Sequence, residues 1–264
     1  FLKPNDNAQK EYIRLNCFND LDLDMPIYRF LKYDVFVEHS LIPGKLSMSK
    51  PKFWPDPYDA LLYKCPVKMI DAPYVSMEGL LDKVFAMCWT KTPESELLWN
   101  AYSYGDIKSI RLKSTPRKIL RYLFDFNKAG FYNSFFATKV VYLNRGKYVE
   151  EVKTHQFSTY GMGGRLHDSL IASLFLKTDE HQDENEIRFV FYDIDDGNKG
   201  DNYYSFKVDI NDVVDEITLN PLLKECDTTA LVQELKLKGF TNPILQSEMN
   251  TFPKDLILDF SYHE

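Results

Sequence analysis

The sequence predicts an α+β fold, a single domain over 25–264 behind a polar N-terminal extension at 1–24, with mixed, mostly antiparallel sheets and packed helices. Three observations predict it. Apolar residues make up 44% of the 264-residue chain and aromatics 15%, enough for a sizeable core. Strand-like and helix-like runs are interspersed without a regular βαβ alternation, so neither a doubly wound sheet nor a barrel fits. No internal repeat, low-complexity stretch or linker divides the chain.

Along the chain, Ile27 to Leu31 reads as a strand, and Asp34 to Ser40 as a short helix with Asp34 as its N-cap. Lys45 to Ser49 is a strand whose alternation puts Ser47 and Ser49 on one face and Leu46 and Met48 on the other. Three prolines in 51–57 dictate a stiff loop, and its Phe53, Trp54 and Tyr58 are too many aromatics for a solvated connector. Val84 to Trp89 is a continuous apolar run, the pattern of a fully buried strand. Thr92 and Pro93 signal the start of a helix to Ser103. Further strands are expected at Ile107 to Leu112, Ala137 to Leu143, Glu184 to Tyr192, Tyr203 to Ile210 and Ile244 to Glu248. Further helices are expected at Glu11 to Phe18, Thr115 to Asn127, His167 to Leu176 and Pro221 to Leu237. Asn144 to Gly146 reads as a turn, Gly161 to Gly164 as a flexible loop, and 193–202 as a hairpin connection.

The bulk numbers narrow the function classes. No apolar run reaches the roughly 18 residues of a membrane helix, so no membrane partner is expected. No secretory signal is visible. Cys17, Cys65, Cys88 and Cys226 are scattered, with no CxxC pair and no zinc-like spacing to histidine, which implies reduced thiols, a cytoplasmic location and no metal. A net charge of −7 argues against a general nucleic-acid binder. The charge is uneven, however: residues 106–153 hold 11 Lys+Arg against 4 Asp+Glu, and the rest of the chain holds 21 against 35. That basic segment either presents an RNA or DNA acceptor or pairs with the acidic remainder.

Two places invite chemistry. On a strand, Ile187, Phe189 and Phe191 face the core while Glu184, Glu186 and Arg188 share the other face, the carboxylates about 7 Å apart at the backbone. Such a pair suits a site that stabilises a positive centre or holds a hydroxyl; the alternative is an exposed strand face with Arg188 as a salt-bridge partner. Arg29 lies between Tyr28 and Phe30, and an arginine there needs a carboxylate or phosphate. Glu184 or Glu186 would serve as a structural partner. A third arrangement, with Glu184, Glu186 and Asp56 on a metal, would make the protein a nuclease.

The pieces also occur in a recognisable order: Tyr28-Arg29-Phe30, Leu46 to Pro51, Phe53 and Asp56-Pro57-Tyr58-Asp59, Met87 to Thr90, Leu97 to Tyr102, Val140 to Tyr142, and Phe175 to Thr178 leading into Glu184-Asn185-Glu186-Ile187-Arg188. Over roughly residues 26–250 this resembles the bacterial family catalogued as domain of unknown function 2971. The chain departs from that pattern at Pro55, at Tyr104 to Asp106 and at His181 to Asp183. The family is similar to ADP-ribosyltransferases, often in toxin–antitoxin or phage-defence settings. The resemblance implies an ADP-ribosyltransferase-like fold with NAD as substrate. It implies that Arg29 binds the dinucleotide, that Ser47 and Ser49 support the nicotinamide side, and that Trp54, Tyr58 or Trp89 stacks on a ring. It also implies Glu186 as the catalytic carboxylate and Glu184 as the group that handles the acceptor. An antitoxin protein would be a partner. A catalytically inactive module that binds a nucleotide or a phage component is the alternative.

Overall fold

A computed structural model of the chain describes residues 16, 17, 20–68, 74–103, 105–123, 135–154, 166–193, 196–198, 200–252 and 256. Expected features at Glu11 to Leu15, Phe124 to Asn127 and Gly161 to Gly164 lie outside these residues.

Among the described residues the fold is α+β around a nine-stranded, mostly antiparallel sheet. β1 (Ile27–Lys32), β2 (Lys45–Ser49), β5 (Val84–Thr90) and β6 (Ser109–Ser114) belong to it. So do β7 (Phe135–Lys139), β10 (Glu186–Tyr192), β11 (Tyr203–Lys207), β12 (Glu216–Leu219) and β13 (Ile244–Gln246). β3 (Pro66–Val67) with β4 (Val75–Ser76), and β8 (Val141–Leu143) with β9 (Leu176–Thr178), form separate two-stranded ribbons.

The centre is β5, buried along nearly its whole length, as a continuous apolar run requires. One edge pairs with β10 at every position, from Glu186↔Thr90 to Tyr192↔Val84. The other edge is shared: β1 meets it only at Tyr28↔Thr90, and β2 only at Ser49↔Ala86. One edge cannot hold two full strands, so the sheet forks there. One wing runs β1-β6-β12-β13 and the other β2-β11.

Each face packs its own core. Leu46, Met48, Phe85, Met87, Trp89, Ile187, Phe189 and Phe191 point into the larger one. Ile119, Leu120 and Leu123 of α4 (Pro116–Leu123) and Leu231 and Leu235 of α8 (Glu225–Leu237) cover it. On the opposite face, Val84, Ala86 and Val190 pack against α2 (Leu61–Lys64), α5 (Arg145–Thr154) and α6 (Leu166–Ser173). Further along that face Tyr28 and Phe30 meet Leu98 and Trp99 of α3 (Glu96–Ser103), with the Phe30 and Trp99 rings edge-on at 4.9 Å. α1 (Tyr33–Phe36) leads into a wide helical turn, and α7 (Ile210–Val213) follows β11.

Several expected elements change. Asp34 is not a cap; it lies in the first turn of α1, after Lys32. α3 begins at Glu96 because the Ser95 hydroxyl, rather than Thr92, accepts the Leu98 N–H. The strand expected at Ile107 starts two residues later, and the one expected at Ala137 to Leu143 splits at Val140 between two sheets. Asn144-Arg145-Gly146 opens α5 instead of turning, with the Asn144 side chain accepting the Lys147 N–H. Leu176 leaves its helix for β9. No hairpin joins β10 to β11: β11 pairs with β2 in the far wing. Local turn composition does not report which edge the next strand finds.

Candidate functional site

Between the two apolar clusters on the α2–α3 face lies a group of charged side chains. It starts from β10. Period two turns Ile187 into the large core and leaves Glu186 and Arg188 on the opposite face, opposite Thr90 and Cys88. Both are buried, Arg188 at 1% and Glu186 at 5% exposure, so the face is no solvated strand edge. Glu184 is not on the strand. It ends a 3-10 turn (Asp179–Glu184), and Asn185 breaks the register with φ +49°, a left-handed value that asparagine tolerates better than most residues. The Thr90 hydroxyl donates to the Glu184 carbonyl at 2.6 Å and ties this turn to the end of β5.

Two cations hold the carboxylates together. Arg188 donates from Nε to Glu186 Oε2 at 2.7 Å, from Nη2 to Asp59 Oδ1 at 2.8 Å and from Nη1 to the Leu174 carbonyl at 2.7 Å. Its guanidinium lies 4.4 Å from the Trp54 ring centroid, which covers a face that hydrogen bonds cannot. Lys177 of β9 donates to Glu184 Oε2 at 2.8 Å, and is 3.8 Å from Asp59 Oδ2 and 3.9 Å from Glu186 Oε1. Asp59 and Glu186 thus each bridge both cations. At the rim, His181 Nδ1 is 2.8 Å from Glu184 Oε1 and Nε2 is 3.3 Å from Asp56 Oδ2. The Tyr102 hydroxyl donates to Glu184 Oε2 at 3.3 Å, and the Tyr142 hydroxyl accepts the Glu186 N–H at 2.9 Å.

The proton affinities follow the packing. Burial pulls Arg188 and Lys177 down, but Glu186 and Asp59 outweigh it and hold both above their ordinary values. Burial pushes Glu184 up, but Lys177 and His181 overcome it and hold the carboxylate below the usual range, so it is ionised. Burial, then the charges of Glu186 and Glu184, pushes Tyr102 up. Burial and Glu186 do the same to Cys88, which is therefore a neutral thiol and a poor nucleophile.

Arg29 occupies β1 one position beyond the single β1–β5 bridge, at the fork. It is half-buried, and its guanidinium makes no hydrogen bond or ion pair with a described residue. The glutamates expected as its structural partners belong to Arg188 and Lys177 instead. Burial holds the Arg29 guanidinium below its ordinary value, with Cys88 and Tyr102 only partly offsetting the loss of water. Both of those groups also feel the Glu186 charge, although alternation on β1 sets Tyr28 on the face of Thr90 and Glu186, and Arg29 on the face of Leu112.

The remaining candidates separate. Ser47 and Ser49 are half-buried on β2, Ser47 sharing a 2.8 Å hydrogen bond with Ser205 and Ser49 opposite Ala86 on the far lip of the fork. Tyr58 lies under the Arg145 guanidinium at 5.4 Å, and its carbonyl accepts the Tyr148 hydroxyl at 2.6 Å. Trp89 is not brought to the site: it is 2% exposed in the large core, paired with Ile187 on the other face of the sheet. Among the described residues no group of three His, Cys, Asp or Glu is arranged to hold a metal ion. The Glu184 and Glu186 of the metal reading are taken by cations. The basic segment pairs with acidic residues outside it: Arg117 with Asp24, Lys118 with Asp215, Arg121 with Asp212, Arg111 with Glu216 and Arg145 with Glu180. All four cysteines are free. No helix among the described residues is long and apolar enough to cross a membrane.

Sequence reasoning places Asp59, Tyr102, Tyr142 and Lys177 in its ordered pieces and His181 among the departures, but gives none of them a role at the site. One signal is present: Lys177 follows Leu174-Phe175-Leu176, and a lysine in an apolar run needs an anion as much as Arg29 does.

No family model and no curated protein matches the chain. Among solved structures it is similar to Thermus sp. 2.9 DarT in complex with NAD+, at 13% identity over 86% of this chain and 98% of that one, with a TM-score of 0.40. It is likewise similar to Thermus sp. 2.9 DarT in complex with ADP-ribosylated ssDNA, at 12% identity over 88% and 98% of the two chains, with a TM-score of 0.39.

Proposed function

We propose that the chain is an NAD-dependent ADP-ribosyltransferase, a toxin or phage-defence effector whose site lies between the fork and the buried charge cluster. One observation carries this reading: the site is charge-polarised. Arg29 is a desolvated cation whose guanidinium has no anion among the described residues, and the groups beside it lead to a cluster in which four carboxylates, Asp56, Asp59, Glu184 and Glu186, outnumber the cations Arg188 and Lys177 that pair with them. A dinucleotide with an anionic pyrophosphate and a ribose that becomes cationic as its base leaves has the complementary polarity. The order Arg29, Ser47 with Ser49, then Glu184 with Glu186 supports the same reading.

In this mechanism Arg29 binds the pyrophosphate, where an anion restores the interaction that burial removed. Ser47 and Ser49 line the nicotinamide side, and Trp54 or Tyr58 supplies an aromatic surface. Glu186 offers Oε1 to the ribose 2′-hydroxyl, since Oε2 is held by Arg188. Its charge stabilises the sugar cation as the glycosidic C–N bond breaks and the electron pair goes to nicotinamide. Glu184, ionised, takes the proton of the acceptor as the acceptor's lone pair forms the new bond to the anomeric carbon. The proton then passes to water.

The test is nicotinamide release from NAD, with and without a mixed-sequence RNA, a mixed-sequence single-stranded DNA or a protein acceptor. Glu186→Gln should lower release by a factor of about 100 to 1,000, as for loss of one preorganised electrostatic group. Because Glu186 is buried against Arg188, the same change should also cost about 2–4 kcal/mol of stability, so rates are compared at a temperature where both proteins are folded. Full turnover in folded Glu186→Gln would remove the transferase reading. The engagement of Glu186 by Arg188 favours one other reading, a module that binds NAD without consuming it. Calorimetric NAD binding by a wild type that releases no nicotinamide would establish that instead.

A further inference from the structure

His181 takes no part in the chemistry proposed above, yet it stands between two carboxylates of the site. Its Nδ1 faces Glu184 Oε1 at 2.8 Å and its Nε2 faces Asp56 Oδ2 at 3.3 Å. Asp56 Oδ2 is buried and makes no hydrogen bond with a described residue, while Oδ1 accepts the Tyr58 N–H at 2.9 Å. The aspartate is therefore locked by its loop, with Oδ2 at ion-pair distance from the ring and not hydrogen-bonded to it. An imidazole with a carboxylate oxygen at each nitrogen satisfies both only when each nitrogen carries a proton; the neutral ring leaves one lone pair facing an anion.

Asp179 and Asp183 share its turn, and several other charged and titratable groups near the ring already have partners. On its own turn Glu180 pairs with Arg145 of α5 at 2.7 Å. From β9, Lys177 reaches Glu184 on Oε2, as does the Tyr102 hydroxyl of α3, and Tyr142 of β8 holds the Glu186 N–H. With Lys177 and Tyr102 on Oε2, His181 is the side chain that fixes Oε1. Remove it, and the Glu184 carboxylate can turn about its last bond while keeping its lysine.

Resting on the transferase reading, we infer that His181, anchored by Asp56, is a positioning residue that as an imidazolium holds Glu184 in the orientation required to take the acceptor's proton. Deprotonation of the ring releases one of its two carboxylates. Loss of that contact should therefore weaken acceptor transfer while Glu184 itself stays ionised.

Two readouts test this. The first is proton NMR of the full chain at mildly acidic pH. Both ring N–H protons of His181 should be visible and shifted downfield. The Nε2 signal should move in Asp56→Asn and the Nδ1 signal in Glu184→Gln. Ring protons that exchange too fast to detect, as in a free exposed histidine, overturn the inference whether or not NAD is consumed. The second is the ratio of ADP-ribose transferred to nicotinamide released, with labelled NAD and the single-stranded DNA and RNA above as probes. His181→Leu should lower that ratio about 10- to 100-fold, the scale of a misplaced catalytic group. His181→Asn keeps one donor for Glu184, so it should lose less. Equal losses in the two variants, or an unchanged ratio in both, overturn the positioning role. A wild type that releases no nicotinamide ends the transferase reading and leaves the NMR result to decide the contact itself.

Discussion

Two sets of ion pairs use the same chemistry in different solvents. The Asp59–Arg188–Glu186–Lys177 group is almost wholly buried, its side chains 1% to 7% exposed. The Arg117–Asp24, Lys118–Asp215 and Arg121–Asp212 pairs of the basic segment are 32% to 68% exposed. Distance does not distinguish them: Arg117 approaches Asp24 at 2.7 Å, as closely as Arg188 approaches Glu186. Solvent does. Water screens the outer pairs, and ordering two long side chains offsets much of what remains. In the buried group each charge has given up its hydration, so each depends on the others. Within the group two anions face two cations, so removing any one leaves another buried and unmatched.

The largest expected effect comes from removing one member of the buried group. Arg188→Met leaves Asp59 and Glu186 facing each other with only Lys177 between them, and should cost about 3–5 kcal/mol in urea unfolding. Neutralising the partners as well, in Asp59→Asn/Glu186→Gln/Arg188→Met, should recover a large part of that loss, because the damage lies in unpaired charge rather than in missing contacts. If the triple variant is less stable than Arg188→Met by the sum of the single effects, the four groups do not act as a unit.

The same contrast explains how much the sequence discloses. The apolar side of β10 is legible because alternation is a local signal: Ile187, Phe189 and Phe191 enter the core as their spacing predicts. So are β1, β2 and β5, with Leu46 and Met48 inward and Ser47 and Ser49 less buried. The polar side is half legible. Glu186 and Arg188 share a face, but Glu184 leaves the strand that alternation assigns it, because nothing in Glu-Asn-Glu announces the left-handed Asn185. Asp59 lies 129 residues from the Arg188 it binds, and no local pattern reports that pairing. The excess charge of the basic segment is plain in the composition; its pairing with Asp24, Asp212 and Asp215 depends on the tertiary fold.

An intermediate effect should appear in the pH dependence of stability. Glu184 is held below its ordinary 4.5, so its contribution is present above that value and is lost as pH falls through the lower folded value. Lys177 is held above its ordinary 10.5, so its contribution is present below that value and is lost as pH rises through the higher folded value. Wild-type melting temperature should therefore decline at both ends. Glu184→Gln should flatten the acid decline, and Lys177→Gln the alkaline one. An acid decline as steep in Glu184→Gln as in wild type would place that dependence on other carboxylates, Asp212 first, since Arg121 and Tyr122 hold it down despite partial burial.

The smallest effect should come from the outer pairs. Arg117 and Asp24 form a two-point contact, Nε to Oδ1 and Nη2 to Oδ2, each at 2.7 Å. That geometry is the best a surface pair can have. Even so, both side chains stand half or more in water, where a Debye length of about 8 Å at physiological ionic strength screens the attraction. Arg117→Ala, Asp24→Ala and the double variant should melt within a degree or so of wild type, and raising salt should erase the residual coupling. Nicotinamide release should be unaffected in all three, because these side chains pair with each other in solvent and none belongs to the buried charge group. If instead Arg117→Ala left folding intact but reduced labelling of single-stranded DNA or RNA, the basic segment would be an acceptor surface after all, with Asp24 as its stand-in. Burial would then no longer separate the functional charges of this protein from the merely structural ones.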